Sequence, residues 1–192
     1  MRRLLAILGA ALAVVLVSVL LPPAAQGMPF ETYEQGRYDE KFSFSYDDCG
    51  FPVEVEGRAR GHFRTTVVPN SGGQAFLADD HYRYHEIHTN TETGAWLRIR
   101  GTGHFKERTA RHVEGDIWEF TATDTGTPFV VIDSDGRKVL RDHGKLWIRA
   151  LFDTLGDSQP GGIVIEDEIT RVRGKFPSLE VDFCQLVGGL IG

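Results

Sequence analysis

The chain of 192 residues carries 21 lysines and arginines against 27 aspartates and glutamates, so its formal net charge at pH 7 is −6. Phosphate contacts dominate nucleic-acid affinity and require a basic excess, so this charge disfavours nucleic acid or an anionic membrane surface as a partner. The length, with 41% hydrophobic residues, fits one domain around a single core.

The first residues have the pattern of an export signal. Two arginines form a basic start, residues 4–21 are apolar apart from one glycine and one serine, and a Pro-Pro break with small residues follows. We predict that residues 1–27 are a signal peptide with a helical core, cleaved after Ala25 or Gly27, and that the chain is secreted. Retention as a membrane anchor is the alternative, because the apolar run approaches the ~20 residues that span a bilayer. Cleavage removes two basic residues and no acid, which leaves a net charge of −8.

The chain has two cysteines, Cys49 and Cys184. In an exported chain two cysteines most simply form one disulfide, and we predict this pairing. Two free thiols or an intermolecular bridge are the alternatives. A bridge that closes so long a loop contributes ~4–5 kcal/mol by restricting the unfolded chain.

The remainder of the chain has the pattern of successive β-strands. Residues 28–38 show no period and are predicted as an extended arm. The longest alternation, over residues 51–67, places apolar residues and glycines on one face and charged residues on the other. Inward glycines permit a long strand to bend. The predicted strands cover residues 39–46, 51–67, 75–88, 95–108, 113–123, 129–132, 138–141, 146–152 and 163–173, before a short last segment at 181–186.

This pattern predicts one all-β domain over residues 39–192. Eight or nine regularly spaced strands with no helix after the signal are typical of a barrel or a sandwich. Long bent strands and inward glycines favour an antiparallel β-barrel of about eight strands, which has no edge strands. A β-sandwich is the alternative, although the spacing between the cysteines is far longer than in an immunoglobulin-like sandwich.

One acid in the predicted interior is a candidate for function. Asp167 lies between two isoleucines on the apolar face of its strand, and a buried carboxylate must find partners or raise its pKa. Arg171 shares that face, and Tyr82 and Tyr84 are predicted to point inward. We identify these four residues as the binding candidates, and Asp167 as the one catalytic candidate. The alternative is a structural acid at the barrel mouth or a shifted register.

Three histidines, His81, His85 and His88, are close together in sequence but lack the spacing of a metalloprotease motif, since His-Glu-x-His is one residue short. On a strand His81 and His85 share one face and His88 points to the other. We interpret them as solvated strand histidines, and we predict no metal site and no cofactor. Metal binding would need ligands from neighbouring strands.

Several stretches resemble a group of exported actinobacterial β-proteins. The resemblance spans most of the chain after residue 27 and rests on residues 49–53 (CGFPV), 89–94 (TNTETG), 135–144 (DGRKVLRDHG) and 182–184 (DFC). These motifs are structural rather than catalytic. The resemblance implies export, pairing of the two cysteines and a β-fold, and it implies no active site.

Three functions remain open from the sequence. The first is a secreted, non-catalytic barrel that binds a small, partly apolar ligand or a cell-envelope component. The second is an isomerase or cyclase that uses Asp167 with the inward tyrosines as acid–base groups. The third is a structural or interaction protein of the envelope that works through Trp96 and Trp147, which fall on the polar faces of their strands. The sequence names neither the ligand nor the oligomeric state.

Overall fold

Antiparallel β-strands make up most of residues 31–192, the part of the chain that the computed structural model describes. The signal peptide predicted at residues 1–27 lies outside the described residues. The sheet has eight strands: β1 (Thr32–Tyr46), β2 (Val53–Val67), β3 (Phe76–Asn90), β4 (Trp96–Glu114), β5 (Ile117–Ile132), β6 (Lys138–Arg141), β7 (His143–Asp153) and β8 (Ile163–Lys175). A 3-10 turn (Pro177–Leu179) and a helix, α1 (Phe183–Ile191), end the chain. In the described part of the chain, no helix has the length and apolar character needed to cross a membrane.

The all-β antiparallel prediction is confirmed, but the predicted closed barrel is wrong. The strand order is β1-β2-β3-β4-β5-β7-β8, with β6 paired to β5, so β1 and β8 are the two edges of one open sheet. A sandwich is excluded for residues 31–192 because all eight strands belong to the same hydrogen-bonded sheet. The inner face is covered by α1, which takes the place of an opposing barrel wall, and closure is not needed to bury the core.

The strand limits differ from the predicted ones mainly at the two ends of the chain. β1 begins at Thr32, so it takes in most of the predicted arm. Its first four residues are exposed on both faces, and such a stretch needs no apolar period. The predicted strands at 113–123 and 129–132 join into β5. The last segment is a helix rather than an extended piece, and Asp182 caps it by accepting a 2.9 Å hydrogen bond from the Gln185 amide.

The disulfide predicted from the sequence is confirmed. Cys49 and Cys184 are bonded with their Cα atoms 4.8 Å apart, across 135 positions of sequence. The bridge lies at the start of α1 and fastens it to the turn before β2. From there Val187 and Ile191 pack onto the fully buried strand residues of the largest core cluster, which include Val53, Val55, Leu97, Ile99 and Val131.

Glycines on the inner face accommodate aromatic rings from the neighbouring strand. The ring of Phe42 lies over Gly57, Tyr38 over Gly61, Tyr84 over Gly101 and Tyr82 over Gly103. At Gly101 a Cβ atom would stand 2.4 Å from the Tyr84 ring and 2.1 Å from the Pro128 carbonyl oxygen. These glycines therefore serve to seat rings as well as to permit bending.

Candidate functional site

The two faces of the sheet carry different chemistry. We call the face covered by α1 the inner face, and the opposite face, which carries His62, His81 and His104, the outer face. Side chains alternate between the two along each strand.

Three histidines stack across the middle of the outer face. The strand register places His62 of β2 opposite His81 of β3, and His81 opposite His104 of β4. Their rings are nearly parallel, with centroids 4.4 Å apart for the first pair and 3.8 Å for the second. Burial, followed by the charges of His104 and His62, lowers the pKa of His81. We call these three residues the histidine stack.

Asp79 lies beside the histidine stack and joins it to two cations. Its Oδ1 is 2.6 Å from Nε2 of His104, and its Oδ2 accepts hydrogen bonds from Lys106 at 2.7 Å and from Arg64 at 3.4 Å. Burial opposes ionisation, but the hydrogen bonds from Lys106 and His104 outweigh it and lower the pKa of Asp79 to about 2. The carboxylate is therefore ionised at neutral pH.

An open groove of 560 Å³ lies on the outer face where β3, β4, β5 and β6 run side by side. Five of its ten lining residues carry guanidinium, ammonium or imidazole groups, and none carries a carboxylate. These five, the basic groove residues, are Arg83, His85, Arg100, Lys138 and Arg141. Val130 is the apolar side chain of the outer face that lines the groove.

The basic groove residues have no acidic partner, unlike several other arginines of the same face. Arg58 and Arg60 both donate to Asp39, at 2.5 and 3.2 Å. Arg149 pairs with Glu119 and Glu168. Between residues 31 and 192 none of the five basic groove residues forms an ion pair.

A smaller pocket of 290 Å³ on the outer face surrounds Trp147. This ring lies between two cations, with the Lys145 ammonium 4.9 Å and the Arg171 guanidinium 4.8 Å from its centroid. Trp96 is covered in a similar way by Arg98 at 5.9 Å. Both tryptophans are half-buried, and their rings are in contact with cations of their own sheet.

Buried tyrosine–carboxylate pairs occupy the inner face. The Tyr82 hydroxyl donates to Asp124 at 2.8 Å, and the Tyr38 hydroxyl donates to Asp80 at 3.0 Å. Burial raises the pKa of all four groups, and each hydroxyl is further held in its neutral form by the neighbouring carboxylate. Asp124 is only 1% exposed, whereas Tyr82 is half-buried.

The four binding candidates predicted from the sequence do not form one group. Tyr82 and Tyr84 lie on the inner face as predicted, but they bond to Asp124 and to the Pro128 carbonyl oxygen. Asp167 lies on β8 opposite Ala150, and β4, β5 and β7 separate it from the tyrosines in the sheet. Arg171 is exposed, and its guanidinium lies over the Trp147 ring.

The apolar interior predicted around Asp167 is not present, because β8 is an edge strand. Ile163 and Ile165 are 58% and 53% exposed rather than inward. Asp167 is half-buried, and its Oδ2 atom is buried without a hydrogen-bond partner. Period-2 alternation specifies two faces but does not show whether a second layer covers one of them.

His88 is buried, which corrects its interpretation as a solvated histidine. It is 2% exposed, with Nε2 at 3.0 Å from Glu86 and Nδ1 at 3.2 Å from the Tyr46 hydroxyl. Burial and the charge of Glu86 raise the pKa of Tyr46 to about 12. Phe183 of α1 covers this network, so it belongs to the core.

His62 and His104 were not predicted as site residues, although the sequence contains a signal for them. They occupy equivalent places in two similar stretches, residues 61–64 (GHFR) and 103–106 (GHFK). The register places these stretches on either side of His81. Two strands that carry similar residues can stack them against a third strand between them. Only the hydrogen-bonded pairing of the strands shows that these strands are neighbours.

No family model, curated protein or solved structure matches this chain.

Proposed function

We propose that this protein binds, without catalysis, a partly apolar ligand that carries phosphate or carboxylate groups. The observation that carries the proposal is the groove on the outer face, where five basic residues converge with no acid among the lining residues and no ion pair. Sequence reasoning placed a ligand inside a barrel. The proposed site is instead on the face that α1 leaves uncovered.

The strand register brings these positive charges close together, which costs folding free energy when no anion is bound. Arg58, His85, Arg100, Val130 and Arg141 form one continuous row across five strands. Directly opposed like charges destabilise a sheet, and Arg83 of the groove stands opposite Arg60. The chain has more acids than bases, with 27 against 21, yet an acid partners only the Arg58 end of this row. An anionic ligand would neutralise the remainder.

The groove fits a small ligand with both charged and apolar parts. Its volume of 560 Å³ falls within the ~300–1,000 Å³ typical of small-molecule sites. Guanidinium groups bind carboxylate and phosphate in a planar, bidentate manner, and three arginines are present. Val130 offers the apolar contact.

Secretion is part of the proposal. The Cys49–Cys184 disulfide fits an oxidising compartment, since such bonds persist mainly outside the cytoplasm. The ligand is therefore proposed to be an extracellular or envelope molecule.

Binding is tested by calorimetry on the secreted chain with pyrophosphate and citrate as simple anionic probes. We expect both to bind in low salt, and the variant Arg83→Gln/Arg100→Gln to lose affinity by about tenfold or more, since charge-assisted hydrogen bonds are lost. Arg58→Gln is the matched control, because Arg58 lies in the same row but is paired with Asp39. Absence of binding, or an equal loss in the control, contradicts the proposal. Native mass spectrometry of protein from its own culture medium then identifies a retained ligand.

The enzymatic alternative has less support from the geometry. It requires Asp167 and inward tyrosines to meet at a reacting group. Tyr82 and Tyr84 already bond to Asp124 and the Pro128 carbonyl, and they lie on a different part of the sheet from Asp167. The alternative that uses Trp96 and Trp147 as an interaction surface is less favoured too, because cations of the same sheet already contact both rings.

A further inference from the structure

We infer that His81, His104 and Asp79 form a binding site for a divalent transition-metal cation of the zinc type. The three side chains come from β3 and β4 on the outer face, beside the basic groove residues. The inference stands on the geometry of these ligands and does not depend on the proposed anionic ligand.

The spacing of the ligand atoms fits a single cation. One donor atom from each of the three residues lies within 4.8 Å of the others. Zinc binds imidazole nitrogen at about 2.0–2.1 Å and carboxylate oxygen at about 2.0–2.2 Å, which puts neighbouring donor atoms roughly 3.3 Å apart. The exposed His81 side chain would have to rotate to bring its nitrogen to this distance.

The register of β3 and β4 fixes the two imidazoles side by side. His81 and His104 are directly opposed, with ring planes 10° apart. His62 stacks on the other side of His81 at 14°. The lone pair of each imidazole nitrogen lies in its ring plane, so binding of one cation by both residues requires His81, the exposed member of the pair, to turn out of the stack.

Asp79 is positioned to supply the third ligand. Lys106 and Arg64 bind Oδ2, which orients the carboxylate and leaves Oδ1 facing Nε2 of His104 at 2.6 Å. A bound cation would replace the proton that these two atoms share. Lys106 and Arg64 then act as outer groups that orient a ligand, a role that is common around metal sites.

The donor set points to a transition metal rather than to calcium or magnesium. Imidazole suits zinc, copper and nickel, whereas calcium and magnesium prefer oxygen ligands. His81 is exposed, so the fourth position is open to water. A site with three protein ligands and one open position differs from a closed structural zinc site.

Cobalt(II) is the spectroscopic probe for this site. The mature chain without an affinity tag is stripped with a chelator and titrated with Co²⁺, and visible absorption bands are followed before displacement by Zn²⁺. We expect binding of one cation, and a loss of affinity of tenfold or more in His81→Gln and in Asp79→Asn. His85→Gln is the matched control, since His85 lies on the same strand and face but outside the ligand group.

Three results would overturn the inference: no cobalt bands in the native chain, unchanged affinity in His81→Gln, or an equal loss in His85→Gln. Circular dichroism and thermal melting of the metal-free variants check folding. If Asp79→Asn melts early because Lys106 and Arg64 lose their partner, His81→Gln decides, because His81 makes no ion pair in the described residues. Pyrophosphate binding should persist in His81→Gln, which separates this site from the basic groove.

Discussion

The same strands present two chemically opposite faces. On the inner face, polar groups satisfy one another in buried pairs, such as Tyr82 with Asp124 and His88 with Glu86. On the outer face, the basic groove residues have no acidic partner, and the histidine stack offers nitrogens to solvent. A buried polar group without a partner costs folding free energy, so these pairings stabilise the fold. Within the described residues, Asp124 Oδ1 and Asp167 Oδ2 are inner-face carboxylate atoms that have no such partner.

This contrast favours the outer face for the proposed binding. Exposed groups tolerate the lack of an internal partner, because water solvates them until a ligand arrives. The sequence pointed instead to buried groups, where perturbed pKa values are common. Here the inner-face tyrosines and acids with perturbed pKa values are paired within the fold, and the proposed binding groups lie on the opposite side.

The largest expected effect comes from detaching α1, which covers the inner face. Replacing both cysteines (Cys49→Ser with Cys184→Ser) should lower the free energy of unfolding by ~2–5 kcal/mol, because the unfolded chain loses a long-range constraint. Guanidinium titration of the variant and the parent measures it. The histidine stack lies on strands alone, so the NMR resonances of His62, His81 and His104 in the folded variant should stay unchanged. An unchanged midpoint of the guanidinium titration would show that packing alone holds α1 in place without the disulfide.

Adding a methyl group beneath an inner-face ring should cost ~1–3 kcal/mol. In Gly101→Ala the new Cβ would meet the Tyr84 ring and the Pro128 carbonyl, and the carbonyl belongs to the main chain. The control is Gly189→Ala within α1, where nothing lies within 4 Å and helix propensity favours alanine. Thermal melting should show a loss in the first variant and none in the second. Equal melting temperatures would mean that the rings are not seated as described.

Removing one inner-face hydroxyl should cost about 1–3 kcal/mol, because it leaves a buried carboxylate without that donor. Tyr82→Phe makes this change at Asp124, which is 1% exposed. In Tyr33→Phe the lost hydrogen bond joins the exposed Tyr33 to Gln159, and we expect a change below about 0.5 kcal/mol. Chemical denaturation of both variants compares them. Similar losses would contradict the distinction between buried and exposed pairs.

The smallest expected effect is a pH dependence of the free energy of unfolding. Two acids contribute to it with opposite signs. Burial raises the pKa of Glu107 to about 7, against an ordinary value near 4.5, despite the hydrogen bond that it accepts from the Ala78 amide. The folded state therefore binds more protons, and this group's contribution to stability falls as pH rises from ~4.5 to ~7, by roughly 1–2 kcal/mol. The pKa of Asp79 is lowered to about 2, so its carboxylate stabilises the folded state at any pH above its ordinary pKa. That stabilisation is lost as pH falls towards 2.

Glu107→Gln tests the first of these slopes. Unfolding free energies measured between pH 4.5 and 7 should fall in the parent and stay flatter in the variant. If the curves of unfolding free energy against pH were parallel for the parent and the variant, Glu107 would titrate near its ordinary pKa.

Part of the architecture was predictable because it depends on local pattern. The alternation over residues 51–67 is long enough to predict β2 almost to its ends, and Lys138–Arg141 is found where it was expected. Two cysteines leave one intramolecular pairing, which is confirmed. The helix α1 was not predicted, because two glycines at positions 188 and 189 weaken a helical pattern that is only nine residues long.

The sequence by itself determined the strand class, the alternation of side chains and the disulfide, since each depends on residues near one another or on there being only two cysteines. Tertiary structure alone decided that the sheet stays open, that α1 covers one face and that His62, His81 and His104 share a row. The physical reason is register. Alternation says which side of a strand a residue takes, but only the hydrogen-bonded pairing of strands says which residue stands beside it.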